Sequence, residues 1–348
     1  MQDALLCYCR AGFEPELAAE LTDRAAAAGL AGYARANRGD GFVRFHAEDP
    51  QALTQALPWR SLVFARQKLT ALADLPGLDP RDRIAPVMAA LAGHGRWGEL
   101  WVEHPDSEAG KPLSGLARSF GNALRPALRK RGFLSEKDNP RLPRLHVCLL
   151  DGDHLLLARG DPGDSAPWPL GIPRLRLNPG APSRSALKLE EALLTLLTPR
   201  ERDTLLKPGM RAADLGAAPG GWTWVLARHH IHVTAIDNGP MQQALLDSGL
   251  VTHRREDGFR WTPERTLDWM VCDMVEQPRR VAVRMGEWFG NEWCRHAVFN
   301  LKLPMKKRWQ EVRTCLELFA EAAGGPLDVR ARQLYHDREE ITVFASGT

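Results

Sequence analysis

The segment from Asp214 to Trp222, DLGAAPGGW, constrains the fold of this chain more than any other. It joins an apolar run that ends at Leu215 to the helix-like stretch WTWVLARHH. A strand that breaks into a glycine-rich turn and then a helix lets bare backbone N–H groups approach a ligand closely. The sequence therefore predicts an α/β domain with a ligand-binding loop, although this segment alone also fits an ordinary Gly/Pro turn.

The glycine spacing argues against a dinucleotide. That fingerprint is G-x-G-x-x-G, whereas Gly216 is followed by AAPGG. The proline also stiffens the turn. A different nucleoside cofactor is therefore indicated.

Acidic residues and a lysine recur at the ends of the strand-like runs that follow. IHVTAI is followed by Asp237, LDWMVC by Asp273, and HAVFNLKLP carries Lys302, while REDGF places Asp257 in a turn. Open α/β sheets hold their ligands at the carboxyl ends of their strands, where an acid can bind ribose hydroxyls. Singly, each acid is more often a cap or turn residue; as a series they favour a site.

From about Pro182 onward these features resemble the FtsJ-type class I methyltransferases, which use S-adenosylmethionine to methylate ribose 2′-hydroxyls of RNA. The catalytic Lys-Asp-Lys-Glu pattern of that family is filled in order by Lys188, Asp273, Lys302 and Glu340. The motifs APSRSALKLEEA, REDGF, NLKLPMKKR and RQLYHDREEITVF are similar to those of the RlmM family, bacterial methyltransferases of a 23S rRNA cytidine 2′-oxygen. This resemblance extends over essentially the whole chain.

The resemblance also implies cofactor contacts. They are Ser185, Ala218, Pro219, Gly220, Gly221 and Asp273, with Asp237 at the cofactor ribose and Asp257 near its adenine. Ser185 also precedes the apolar-periodic run ALKLEEALLTLL, where a serine is the usual helix N-cap. Both roles are compatible.

Proton removal explains why lysines and acids are needed. A ribose hydroxyl is a poor nucleophile at neutral pH, so attack on a sulfonium methyl needs a base. We predict Lys302 as that base, with its pKa lowered by burial and by the positive charges of Lys188 and of the sulfonium itself. Asp273 and Glu340 would orient the two amines.

Alternatives remain for three of these residues. Lys302 also fits a phosphate clamp, and Lys188 a solvated helix lysine paired with a nearby carboxylate. Glu339 stands beside Glu340, and strand alternation sends the two to opposite faces. The family pattern favours Glu340.

RNA binding is suggested by the distribution of charge, because a net charge of +3 alone says little. Between Lys111 and Arg144 there are nine Lys or Arg against two acids. The predicted phosphate-binding residues there are Arg125, Arg129, Lys130 and Arg131. A second cluster, Lys306, Lys307 and Arg308, follows Lys302, and the alternative for the first is a solvated helix face.

The chain length of 348 residues suggests two or three domains. The alternation of strand-like and helix-like segments predicts a small α+β unit at residues 1–70 and a second one at residues 71–161. Six prolines in 162–182 indicate a linker before a methyltransferase domain at 183–348. By resemblance, the first unit is ferredoxin-like and the second THUMP-type.

The sequence also bears on the location of the protein, the state of its cysteines and its partners. No apolar run reaches the roughly 18 residues of a membrane span, and no basic segment precedes an apolar one at the amino end, so a cytoplasmic protein is expected. The six cysteines show no metal-binding spacing, so we predict reduced thiols and neither metal nor disulfide. A monomer is favoured, and 23S rRNA, naked or in an early precursor particle, is the expected partner by resemblance.

Two rival functions are considered. An RNA base N-methyltransferase usually carries Asn/Asp-Pro-Pro-aromatic after the fourth strand, whereas this chain has DMVEQP. An RNA-binding assembly factor without catalysis would not need all four residues of the Lys-Asp-Lys-Glu pattern.

Overall fold

A computed structural model describes residues 2–347. It divides into two compact units, Met1–Pro173 and Arg174–Thr348. Each unit contains one seven-stranded sheet with helices.

The first unit alternates strands with four helices. Its strands are β1 Gln2–Tyr8, β2 Gly32–Arg35, β3 Phe42–Ala47, β4 Gln67–Leu75, β5 Glu99–Glu103, β6 Arg144–Asp151 and β7 His154–Gly160. Its helices are α1 Glu14–Ala27, α2 Pro50–Ala56, α3 Ile84–Ala90 and α4 Ser114–Lys130. The strand order is β2-β3-β1-β4-β7-β6-β5.

One sheet spans both predicted amino-terminal units. β4 pairs with β1 along one edge and with β7 along the other, and the boundary expected at residue 70 falls inside β4. The predicted hairpin around Asp151 and His154 is confirmed, since these two residues pair across a two-residue turn. The basic helix α4 buries Phe120, Leu124 and Leu128 at helical spacing against the core.

The proline-rich segment lies between β7 and the second unit. Its described secondary structure is a single turn of 3₁₀ helix, Pro169–Gly171. Proline removes a backbone donor and restricts its neighbour, which accounts for this irregular path. The division between the two units, after Pro173, falls within the predicted linker.

The second unit is an α/β domain. Its strands are β8 Arg211–Leu215, β9 His232–Ile236, β10 Val251–Arg254, β11 Leu267–Cys272, β12 Cys294–Lys302, β13 Leu327–Arg332 and β14 Glu340–Gly347. Its helices are α5 Ala186–Leu196, α6 Pro199–Leu205, α7 Gly221–Arg228, α8 Gln243–Leu246, α9 Pro278–Gly290 and α10 Arg308–Ala323.

Its sheet has the order β10-β9-β8-β11-β12-β14-β13. The first five strands are parallel, and their apolar runs are buried as expected for strands covered on both faces. β14 runs antiparallel to β12, so it begins where β12 ends and sets Glu340 opposite Lys302. The carboxyl ends of the parallel strands and the start of β14 therefore share one edge, which confirms the predicted fold class.

Candidate active site

Four charged residues converge at the carboxyl edge of the second sheet. Asp273 directly follows β11, Lys302 ends β12 and Glu340 begins β14. Lys188 projects from the first turn of α5. The structure therefore brings together all four residues of the Lys-Asp-Lys-Glu pattern.

The two carboxylates bridge the two amines. Lys188 Nζ lies 2.6 Å from Glu340 Oε1 and 3.2 Å from Asp273 Oδ2. Lys302 Nζ donates to Asp273 Oδ1 at 2.7 Å and also contacts Glu340 Oε2. Lys188 is thus paired with carboxylates distant in sequence and not with one on its own helix.

Glu340 and Glu339 have separate partners. Glu340 is only 6% exposed and contacts both lysines, whereas Glu339 pairs with Arg308. Arg308 is buried, so of the sequence cluster Lys306, Lys307 and Arg308 only the two lysines are exposed.

The pKa of Lys302 lies above its ordinary value. Burial acts to lower this pKa, but the negative charges of Asp273 and Glu340 and their hydrogen bonds outweigh it. The prediction of a lowered pKa is therefore wrong for the protein alone. Burial likewise acts to raise the pKa of Asp273, yet Lys302 and Lys188 hold it below its usual range.

Asn300 is a site residue that the sequence reasoning missed. Its buried amide donates to Asp273 Oδ1 at 2.8 Å and accepts from the Thr342 hydroxyl at 2.8 Å. It lies two positions before Lys302 on β12, and strand alternation alone would have placed both on one face. Asn300 fixes the Asp273 oxygen that Lys302 also contacts.

Glu191 was also missed. Its buried carboxylate accepts the backbone N–H groups of Tyr335 and His336, at 2.7 and 3.0 Å, and lies 2.6 Å from His336 Nδ1. It therefore ties α5, which carries Lys188, to the segment that leads into Glu340. No local sequence signal marks such a tertiary contact.

The glycine-rich loop packs tightly against the start of α5. A Cβ on Gly221 would lie 2.1 Å from Ser185 Oγ, and Gly220 has a φ of +115°. Ser185 occupies the position before α5, but its side chain forms no capping bond with the helix, so that expectation is wrong. Its hydroxyl lies 2.6 Å from Ser183 Oγ, and its carbonyl accepts the Trp222 indole N–H.

The other two predicted cofactor acids differ in their environment. The Asp237 carboxylate accepts the N–H groups of Ala218 and Gly239, at 3.0 and 2.7 Å, so it shapes the loop directly. Asp257 is exposed and accepts the N–H of Phe259 in a turn, as the sequence predicts. Its carboxylate also lies 3.5 Å from Arg260 Nε.

Asp214 supplies a third carboxylate beneath this loop. Burial is the main cause that raises its pKa to about 7, and repulsion from Asp273 and Asp237 adds to the shift, although the Thr223 hydroxyl bonded to it acts in the opposite direction. Asp273 is balanced by Lys188 and Lys302, so Asp214 and Asp237 are the carboxylates beside the loop that lack a lysine partner in the cluster.

We expect Asp214→Asn to change how stability depends on pH. A carboxyl whose pKa rises from 3.8 to about 7 on folding stabilises the protein at low pH, and that contribution is lost as pH rises through 7. Between pH 5 and 8 the variant should gain roughly 2–3 kcal/mol relative to the parent. Urea unfolding at both pH values measures this; an equal difference at both would contradict the assignment.

A cavity of about 500 Å³ adjoins the four-residue cluster, since Lys302 forms part of its wall together with Gln277, Leu303 and Pro304. A larger cavity of about 690 Å³ lies along the β9 and β10 side of the sheet, with His232, Arg254 and Glu256 in its wall. The smaller cavity is the relevant one for chemistry because it reaches the proposed base.

The predicted RNA-binding residues of the first unit fall into two groups. Arg125 and Arg129 donate to the backbone carbonyls of Leu100 and Ser135, which gives both a structural role. Lys130 and Arg131 are exposed at the end of α4. In the second unit, Lys306 and Lys307 are exposed before α10.

Three further observations concern residues 2–347. All six cysteines are buried and free. Within this range no cluster of His, Cys, Asp or Glu could hold a metal ion. None of the described helices combines the length and apolar character needed to cross a membrane.

The fold and the charged cluster place the second unit among FtsJ-like methyltransferases, and a family model of that description matches residues 181–312. Models described as "RlmM ferredoxin-like domain" and "Ribosomal RNA large subunit methyltransferase M, N-terminal" match residues 1–69 and 82–159. The chain belongs to the ribosomal RNA large subunit methyltransferase M (RlmM) family.

Full-length relatives support this membership. The protein of that name from Xanthomonas axonopodis pv. citri (strain 306) is 70% identical over 341 residues, 98% of each chain. The protein of the same name from Xanthomonas oryzae pv. oryzae (strain KACC10331 / KXO85) is 69% identical with the same coverage. TrmN from Thermus thermophilus, a solved structure, is 19% identical over 99% of both chains, with a TM-score of 0.35, too low for a functional comparison.

Proposed function

We propose that this protein transfers a methyl group from S-adenosylmethionine to the 2′-oxygen of a cytidine in 23S rRNA. The observation that carries the proposal is the pairing of Lys188 and Lys302 with both Asp273 and Glu340 at one sheet edge. Family membership supports rRNA methylation. The choice of cytidine and of naked or early precursor rRNA rests on the resemblance of sequence motifs.

The residues present fit the cofactor. The lack of side chains on Gly220 and Gly221 lets the loop turn closely against Leu245 and Ser185, and the carboxylates of Asp214 and Asp237 add negative charge beside it. When bound, S-adenosylmethionine supplies an electrophilic methyl group. We propose that Ser185, residues 218–221 and Asp237 hold it, with Asp257 at its adenine.

Lys302 acts as the general base in this proposal. Its neutral amine would take the proton of the 2′-hydroxyl as that oxygen attacks, and with the cofactor bound the methyl group would pass from sulfur to oxygen, with the sulfur–methyl bond broken and S-adenosylhomocysteine left behind. The resulting ammonium is stabilised between Asp273 and Glu340. Lys188 holds the same carboxylates from the other side, and Asn300 keeps Asp273 oriented.

We expect the rate of methyl transfer to rise with pH. Only neutral Lys302 can accept a proton, and its pKa lies above the ordinary lysine value in the protein alone. The single-turnover rate should therefore increase about tenfold per pH unit between pH 6 and 9. A rate independent of pH over this range would favour the phosphate-clamp alternative.

The product identifies the acceptor atom. We would incubate the protein with methyl-labelled S-adenosylmethionine and 23S rRNA lacking ribose methylation, and then hydrolyse the RNA in alkali. A 2′-O-methyl group blocks cleavage, so label in an alkali-resistant dinucleotide supports ribose methylation. Label in mononucleotides would indicate base methylation, and absence of transfer would favour a binding factor.

RNA would be held by exposed cations in each unit. We propose that Lys130 and Arg131 in the first unit, and Lys306 and Lys307 in the second, bind phosphates. Of the predicted set, Arg125 and Arg129 are less suited because they already donate to backbone carbonyls.

A further inference from the structure

Two exposed apolar side chains lie beside the proposed catalytic residues. Val275 is 89% exposed and Met305 76% exposed, the highest values among the exposed large hydrophobic residues of the described chain. Val275 lies two positions after Asp273, and Met305 three positions after Lys302. Single exposed apolar residues are common, so their position at the site is the informative feature.

The segments that carry Val275 and Met305 also line the cavity of about 500 Å³. Gln277 comes from the segment after β11, and Leu303 and Pro304 from the segment after β12. Lys302 is part of the same wall. Whatever enters the cavity during the reaction must therefore be a part of the substrate close to the reacting oxygen.

Among the polar side chains of this wall, that of Gln277 is available to form hydrogen bonds with a base. Arg279 donates two hydrogen bonds to Glu311, at 2.9 and 2.8 Å, so these two side chains satisfy each other. The side-chain amide of Gln277 is exposed and has no hydrogen-bond partner among the described residues. An amide presents a donor beside an acceptor, which can pair with the edge of a pyrimidine.

We propose that this cavity receives the base of the target nucleotide, with Gln277 at its hydrogen-bonding edge. Val275 and Met305, which belong to the same two segments but lie outside the cavity wall, would contact the apolar face of the base that the cavity leaves uncovered. The inference rests on the proposed ribose methylation. The base is attached to C1′, next to C2′, so a 2′-hydroxyl at Lys302 brings the base to the adjoining cavity. Proteins that act on single nucleotides take them out of the stack.

Charge around the cavity fits RNA as the occupant. Lys306 and Lys307 are exposed directly after Met305. Cations beside exposed apolar groups suit a ligand with a phosphate backbone and flat apolar bases. A nucleotide of the substrate rRNA combines both properties.

The test compares V275A/M305A with the parent protein in single-turnover transfer to unmodified 23S rRNA. We expect a 10- to 100-fold lower rate at subsaturating RNA, because stacking on one base contributes about 1–3 kcal/mol. Cofactor affinity should change less than twofold. Val329→Ala, at a half-exposed valine on β13, is the matched control and should retain the parent rate.

A second measurement reports on the base itself. After the methylated nucleotide has been mapped, a fluorescent cytidine analogue is placed there in an rRNA fragment. Its emission should change on binding to the parent protein and to Val329→Ala, but not to V275A/M305A. Gln277→Ala removes hydrogen bonds to the base and should lower the single-turnover rate at subsaturating RNA about five- to tenfold.

The outcomes separate the two proposals. Alkali-resistant product together with a parent-like rate and fluorescence in V275A/M305A would overturn the base site alone. Alkali-labile product from the parent protein would overturn ribose methylation, and the base site with it. Because both substituted side chains are exposed, thermal unfolding of V275A/M305A should match that of the parent.

Discussion

Replacement of Lys302 by alanine should lower the rate of methyl transfer about 10²- to 10⁴-fold, the range typical for loss of a general base. The variant retains Lys188 between Asp273 and Glu340, so the cluster keeps one cation. Binding of S-adenosylmethionine should persist because the glycine-rich loop is unchanged. Alkali-resistant label measures transfer, and calorimetry measures cofactor binding.

Lys306→Ala is the matched control for this variant. It removes an exposed lysine from the same segment without touching the cluster. We expect weaker RNA binding at higher salt and a nearly unchanged rate at saturating RNA. Equal loss of rate in both variants would show that Lys302 contributes positive charge and not proton transfer.

Glu340→Gln should produce the second large effect. Glu340 is buried and contacts both lysines, so the change removes a charge that each of them faces. Removing one partner of a buried ion pair costs about 3–5 kcal/mol of folding stability, and the amide retains part of the hydrogen bonding. Because Glu340 also orients both amines, a single-turnover rate about 100-fold lower is expected, even though a lower Lys302 pKa leaves more of the neutral amine at neutral pH.

The neighbouring residue gives the comparison for Glu340. Glu339 pairs with Arg308 outside the four-residue cluster, so Glu339→Gln should stay within threefold of the parent. The removal of negative charge in Glu340→Gln should also lower the pKa of Lys302, moving the rise in rate to lower pH. An unshifted profile would argue that Lys302 is not the titrating group.

Much of the site could be predicted from sequence because it depends on strand ends. Asp273 and Lys302 follow or end apolar runs, and parallel strands place their carboxyl ends at one edge. Strand alternation could also have identified Asn300. The role of the helix residue Glu191 could not be predicted from the sequence, because its partners Tyr335 and His336 are distant along the chain.

Two other properties could not be predicted because they depend on non-local distances. The direction of the Lys302 pKa shift follows from two carboxylates close to its amine, which outweigh its burial. The second property is that both amino-terminal units contribute strands to one sheet, because the pairing of β4 with β7 is set by residues far along the chain.

The shared first sheet has a consequence during synthesis. Strands β1 and β4 can pair early, but the other edge of β4 has no partner until β7, which ends at Gly160, has left the ribosome. An open strand edge is a site of wrong pairing and aggregation. The first sheet of the nascent chain therefore stays incomplete from the synthesis of β4 until that of β7.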